Sequence, residues 1–267
     1  MERIILNHFV HADLKITIRD KVPDRKMINP YIELARRYKD NIDEDAYRQS
    51  RNHKQLENLR SNPKINIDAV LAGKEDDDRL GCCIISRPPG NVKSLISSIQ
   101  YNIRDSVPES SALWLTPNEY LHMSVLEIDN TSTKNNIKEI MNILLSHIDQ
   151  LITVANDGPE LSNPLICFDS NAIALTFTSV NRSHIKYRLK LFDSITSCGV
   201  DIRPRYHAPS AHITIIRFVE DLCEDELMAL LDRIQVINNS LVDTKWKVSD
   251  CEFNYGLIWY GQQLQHI

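Results

Sequence analysis

Two segments of this chain repeat one pattern. Residues 121–128 read Leu-His-Met-Ser-Val-Leu-Glu-Ile, and residues 211–218 read Ala-His-Ile-Thr-Ile-Ile-Arg-Phe. Both run apolar, His, apolar, hydroxyl, apolar, apolar, charged, apolar. Side chains alternate between the two faces of a strand. In strand form Leu121, Met123 and Val125 face a core, while His122 and Ser124 face the other way together. His212 and Thr214 do the same in the second segment. Each strand then offers an imidazole and a hydroxyl roughly 7 Å apart along the backbone. Ser and Thr are common, and the chain has nine His, so a lone His-x-Ser/Thr would arise by chance. The weight lies in the matching apolar flanks, the repeated strand context and an interval that suits one half-domain.

Composition bounds what can surround such a pair. The 267 residues, 42% of them apolar, can bury one sizeable core or two modest lobes. With 31 basic and 36 acidic residues the chain is net acidic, which argues against a general nucleic-acid or polybasic membrane binder. Seven Gly and 11 Pro exclude collagen-like and low-complexity readings. No apolar run approaches the roughly 18 residues of a membrane span. The start, Met1-Glu2-Arg3, with Asn7, His8 and His11 cutting the apolar run, does not read as a secretory signal. Six Cys (82, 83, 167, 198, 223, 251) form no C-x-x-C pair and read as reduced thiols. The expectation is an intracellular globular monomer, cytoplasmic or nuclear, without a cofactor or a resident metal.

Organisation follows from the same reading. Residues 1–75 form a partly helical N-terminal extension. A short helix starts near Asn29-Pro30, and a polar, solvated helix runs over Asp43 to Arg60. The acidic run Glu75 to Asp78 marks a boundary, and residues 76–267 form the motif-bearing domain. There Leu80–Ser86, Ala112–Thr116, Tyr120–Ile128, Ala211–Val219, Lys245–Cys251 and Tyr255–Tyr260 read as strands. Pro164–Phe168 and Ala172–Ser179 read as a hairpin. Val92–Ile103, Thr133–Val154, Ser183–Cys198 and Asp225–Ile237 read as helices, the third stopped by Gly199. The class is α+β or α/β.

Two imidazoles suit phosphodiester chemistry. One group must take a proton from the attacking nucleophile and another must give one to the leaving oxygen. Histidine does both near neutral pH. The hydroxyls can donate to non-bridging phosphate oxygens and hold the phosphorus between the imidazoles. No metal is required.

The paired His-x-Ser/Thr motifs at this spacing resemble the 2H phosphoesterase superfamily. Trp114-Leu-Thr-Pro117, Arg205-Tyr-His-Ala-Pro-Ser-Ala-His212, Asn254-Tyr-Gly and Trp259-Tyr-Gly261 resemble a fungal branch of RNA ligase/cyclic nucleotide phosphodiesterase-like proteins. The resemblance spans residues 80–261. It implies an α+β, bilobal fold of two antiparallel sheets facing a central cleft, with helices outside and one motif from each lobe. It implies His122 and His212 as acid and base, and Ser124 and Thr214 as phosphate-binding groups. Position 124 carries Ser where Thr is commoner, which keeps the hydroxyl.

Further candidates surround the motifs. Asn181–Arg217 holds seven basic residues against two acids, a funnel for an anionic substrate in an acidic protein. Lys186 to Lys190 read there as a solvated helix face, and Arg203 and Arg205 as substrate contacts. Tyr206, Trp259 and Tyr260 are candidates for stacking on a base, with core packing as the other reading of the last two. Strand parity would put Tyr120 on the catalytic face. His8, His11 and Asp13 lack a completed metal-ligand set. His207 reads as a surface loop residue, and His53, His147 and His184 as surface or helix-face residues. The leading reading is a metal-independent phosphodiesterase that hydrolyses 2′,3′-cyclic phosphates of RNA ends or nucleotides. The alternatives are RNA 3′-end trimming, 2′-5′ phosphodiester cleavage, a non-catalytic nucleotide- or RNA-binding module, and an interaction protein built on the N-terminal helices.

Overall fold

The computed structural model describes residues 29–37, 44–77, 80–107, 111–130, 134–205, 207 and 209–257. Tyr206, Trp259, Tyr260, His8 and His11 lie outside these residues. The chain order is α1 (Pro30–Arg37), α2 (Glu44–Ser61), β1 (Leu80–Ser86), α3 (Gly90–Arg104), β2 (Leu113–Leu115), β3 (Met123–Asp129), α4 (Lys134–Ser146) and α5 (Ile148–Asn156). It continues with β4 (Glu160–Phe168), β5 (Ala172–Ser179), α6 (Ser183–Ser197), β6 (Ala211–Phe218), α7 (Glu224–Ser240), β7 (Trp246–Lys247) and β8 (Cys251–Leu257).

The architecture is α+β. Its strands lie in the order β7-β4-β5-β6-β3-β1-β8, with β2 on β6, and each of these strand pairs is antiparallel. Two half-sheets are visible in this order: β7-β4-β5-β6 with β2, and β3-β1-β8. They meet between β3 and β6, where one residue pair, Met123 with Ile213, joins them. This is the bilobal arrangement that the resemblance implies.

Past that pair β3 finds other partners. The Arg203 N–H donates to Ile128 O at 2.7 Å, and Arg203 bridges to Asp129 in parallel. Arg188 of α6 donates from Nε to Val125 O at 2.8 Å and from Nη2 to Ser124 O at 3.1 Å. A carbonyl buried without a donor is costly, so a fully buried guanidinium serves the strand where its neighbour has left. Arg188 is therefore not on a solvated face, in contrast to the reading of Lys186 to Lys190. Arg217 is likewise buried, paired with the buried Asp68 at 3.4 Å.

Local signals explain most elements. In α3, Val92, Ile96, Ile99 and Ile103 are buried at helical spacing. The β4–β5 hairpin turns on Asp169, whose Oδ1 accepts from the N–H groups of Asn171 and Ala172 at 2.7 and 3.1 Å. Gly199 has φ +90°, as a left-handed helix stop requires. The single helix expected over Thr133–Val154 is two. His147 closes a tighter turn onto Leu144 O at 3.0 Å between them, and Leu145 and Ile152 are exposed. At the C-terminus, Asp250 with φ +51° separates β7 from β8, so the strand runs from Cys251 to Leu257 rather than from Tyr255.

The N-terminal helices pack into the same core as the sheet, which includes Tyr31, Leu34, Leu56, Leu59 and Ile65. Asn29 Nδ2 holds Leu189 O at 3.0 Å and Asp193 Oδ1 at 2.9 Å, fixing the start of α1 on α6. The linker after α2 is tied down by Asn66 N–H to Ser170 O and Asp68 N–H to Phe218 O. The six cysteines are all free. Among the described residues no helix is long and apolar enough to cross a membrane.

Arg188→Met keeps much of the packing volume and removes the donors to two buried carbonyls. We expect a loss of about 3 kcal/mol in urea unfolding at unchanged slope. A loss below about 1 kcal/mol would show that β3 does not depend on this side chain.

Candidate active site

The two His-x-hydroxyl motifs are centred on the two residues that join the half-sheets. Because Met123 pairs with Ile213 in antiparallel register, His122 stands across from Thr214, and Ser124 across from His212. Directly opposed residues share a face with Cβ atoms roughly 5 Å apart, and diagonal ones roughly 7 to 8 Å. The imidazoles occupy one diagonal of this square and the hydroxyls the other. The opposite face is core: Leu121, Met123, Val125, Ala211, Ile213 and Ile215 are all buried. His122, Ser124 and Thr214 keep partial exposure, while His212 is 5% exposed.

Each ring is aimed by the residue two positions before it. His122 Nδ1 lies 2.8 Å from Tyr120 O. His212 Nδ1 lies 3.1 Å from Ser210 Oγ and is also tied to the Ser210 backbone. A neutral imidazole facing a carbonyl from Nδ1 carries its proton there, so the Tyr120 carbonyl leaves the lone pair of His122 on Nε2. Tyr120 itself lies in a turn before the strand begins, so strand parity does not apply to it, and its backbone carbonyl is what reaches the site.

Burial pushes both histidines down to about 4. Arg87 and Arg217 act in the same direction on His122. Arg188, His122 and Arg217 do so on His212. The ligand-free site therefore holds two neutral imidazoles at pH 7. Arg87 flanks His122 and is pinned by Glu252, with Nε 3.2 Å from Oε1, and by Glu119 O at 2.9 Å. On the other side Thr176 of β5 stands across from His212, and Arg48 of α2 donates to Thr176 Oγ1 at 3.0 Å.

The other sequence candidates are placed as follows. Arg203 is paired with Asp201 at 2.6 Å and sits beside Asp129, at the end of β3 away from His122. Arg205 meets Glu127 through its N–H at 2.9 Å and its Nε at 3.4 Å, and is partly exposed. His184 is not a surface residue. It is buried between Ser179 Oγ (2.7 Å) and Pro209 O (2.8 Å), and burial pushes it down to about 3. Its role is to hold the segment that enters β6. His207 is packed edge-on against Tyr31 and Phe192, with centroids 5.8 and 6.4 Å away, rather than lying on a surface loop. Burial pushes it down to about 4. Arg87 and Arg48 are site residues that sequence reasoning misses. Arg87 carries no sequence signal. Arg48 belongs to a polar repeat along α2 that helical spacing could have exposed. Among the described residues no cluster of metal-ligating side chains occurs.

No protein-family model matches the sequence, and no curated protein matches it. Solved structures with a similar fold include TT0787 of Thermus thermophilus, with 9% identity over 66% of this chain and 86% of that one, at a TM-score of 0.41. The MHV ns2 PDE domain has 11% identity over 66% and 98%, at 0.38. Kluyveromyces marxianus Usb1, solved with uridine monophosphate, has 11% identity over 72% and 98%, at 0.42. At these identities the chain's own residues, not its neighbours, carry the chemistry.

A histidine held neutral by the fold binds fewer protons folded than unfolded. Its contribution to stability is complete above the unfolded value near 6.5 and is lost as pH falls towards about 4. Urea unfolding should therefore weaken from pH 7 to 4.5, and His212→Gln should flatten the decline by on the order of 2 to 3 kcal/mol. An unchanged pH profile in the variant would contradict the burial of this ring in a neutral state.

Proposed function

We propose that this chain is a 2H-type phosphoesterase that opens 2′,3′-cyclic phosphates on RNA ends or nucleotides without a metal. The observation that carries this reading is the register-fixed square of His122, Thr214, His212 and Ser124. The two imidazoles share one sheet face with the two hydroxyls, each kind on its own diagonal. Such a square would seat a tetrahedral phosphate with attacking and leaving oxygens on opposite sides. The Ser124 and Thr214 hydroxyls donate to the non-bridging oxygens.

The proton balance is simple. One imidazole Nε2 accepts a proton from water as its oxygen bonds to phosphorus. The other, protonated, gives its proton to the ribose oxygen as the bond from that oxygen to phosphorus breaks. The ring nearest the leaving oxygen is the acid. The pseudo-two-fold arrangement lets either ring take either role according to how the ribose lies.

The acid must first acquire its proton. Burial keeps both rings neutral in the free site. A phosphate anion between them favours the imidazolium and raises the pKa of one ring. Substrate charge thus supplies the protonated form that the empty cleft disfavours. Binding should take up close to one proton at pH 7, read by calorimetry in buffers of different ionisation enthalpy with a 3′-nucleoside monophosphate as probe. Affinity should fall as pH rises. Binding without proton uptake would contradict this account of the pair.

Kinetics test the assignment directly. With a 2′,3′-cyclic mononucleotide, His122→Ala and His212→Ala should each lower kcat by about 10²- to 10⁴-fold. Ser124→Ala and Thr214→Ala should each lower it by about 10²-fold. Chelator should leave the rate unchanged. Near-normal turnover in either histidine variant removes the proposal. Loss of terminal nucleotides from an RNA substrate would instead favour 3′-end trimming by the same four residues.

A further inference from the structure

The helix α2 is polar along the face that it turns towards the sheet. Glu44, Tyr47, Arg48, Arg51, Asn52 and Gln55 recur at spacings of three and four and line one pocket between α2 and the β4–β5 hairpin. Apolar anchoring comes from Leu56 and Leu59 at its C-terminal end. A helix against a sheet ordinarily turns an apolar stripe inward. Here the inward stripe is polar and carries two guanidinium groups.

The pocket borders the His122–Thr214–His212–Ser124 square. Its lining includes Thr176, which stands across from His212, and Ser210, which aims His212. The next row of the sheet runs Cys167, Ala174, Thr214 and, across the join, His122. Ala172 and Ala174 are small, and with Cys167 they form a low floor beneath the helix. Arg48 lies over the Thr176 row through its bond to that hydroxyl. Arg51 lines the same pocket as Cys167 and is close enough to act on its thiol. Cys167 shares a row with Thr214, two strands away.

Basic side chains outnumber acidic ones around the pocket. Arg48, Arg51 and Arg182 line it against one carboxylate, Glu44. Arg48 is already committed to Thr176, Asp45 and Asn163 O. Arg51 makes no hydrogen bond or ion pair among the described residues, is half-buried and lines the pocket. A half-buried cation without a partner beside a phosphate site is an anion receptor.

We infer that the α2 pocket is a second phosphate subsite, in which Arg51 holds the neighbouring phosphate of a ribonucleotide chain whose 3′-terminal phosphate lies between His122 and His212. The inference rests on the proposed phosphodiesterase reading and deepens it. The preferred substrate is an RNA end rather than a free cyclic nucleotide. Arg51 is a substrate-binding residue, and α2 forms one wall of the active-site cleft.

The test uses product-type ligands that need no turnover. Full-length protein is titrated with a 3′-phosphorylated trinucleotide and with the matching 3′-nucleoside monophosphate. The wild type should bind the trinucleotide at least about 10-fold more tightly, with a log Kd that depends more steeply on log salt. Arg51→Glu and Arg51→Gln should erase most of that advantage and lower the salt slope by about 0.7, leaving mononucleotide affinity unchanged. Circular dichroism and melting confirm that both variants are folded, as a half-buried helix position allows. Equal affinity of the wild type for the two ligands overturns the inference. So does a variant that weakens both alike, or neither. Hydrolysis of a cyclic mononucleotide is measured in parallel. Its failure would count against the phosphodiesterase reading, whereas intact hydrolysis with no trinucleotide preference would count only against the subsite.

Discussion

One backbone pairing, Met123 against Ile213, organises this molecule. It joins the two half-sheets, and it centres the two His-x-hydroxyl motifs on each other. A slip of one residue would turn one motif onto the core face and destroy the square. Register here is specified from below, because Leu121, Val125, Ala211 and Ile215 on the opposite face must stay buried. The hydrophobic effect thus fixes the geometry of the four polar side chains. Core residues set where the two histidines and the two hydroxyls sit.

Keeping the strands together at one pair and apart beyond it creates a cleft, and the cleft has a cost in unpaired backbone. The fold meets it with Arg188, which serves two β3 carbonyls, and with the segment around Arg203, which pairs with the far end of the strand. Buried His184 anchors the entry to β6 through Ser179 and Pro209. These groups shape the electrostatics as well as the fold. Arg188 and Arg217 add to burial in keeping His212 neutral.

Much of this is legible in the sequence. Period-two alternation marks the two motif strands and their faces, and period 3.6 marks α3, α6 and α7. The hairpin at Ser170-Asn171 and the stop at Gly199 follow from turn chemistry. What is not legible depends on distance along the chain. His184, His207, Arg188 and Arg217 look like ordinary polar residues of a helix, loop or strand, and they become buried only because elements far away close over them. For Tyr120, strand parity extends into a turn that Pro117 and Asn118 have already started. The polar face of α2 reads as solvated because nothing local says that a sheet lies beneath it. Its regular spacing is visible, but its partner is not.

The central claim is that one phosphate is attacked and released between His122 and His212. The most direct measurement incubates a short RNA ending in a 2′,3′-cyclic phosphate in heavy-oxygen water, beside the His122→Ala/His212→Ala double variant, and reads intact product masses. The account predicts one opened phosphate bearing a single heavy oxygen with the wild type, and unreacted RNA with the variant. Unreacted RNA with the wild type, or equal opening by both proteins, would contradict it.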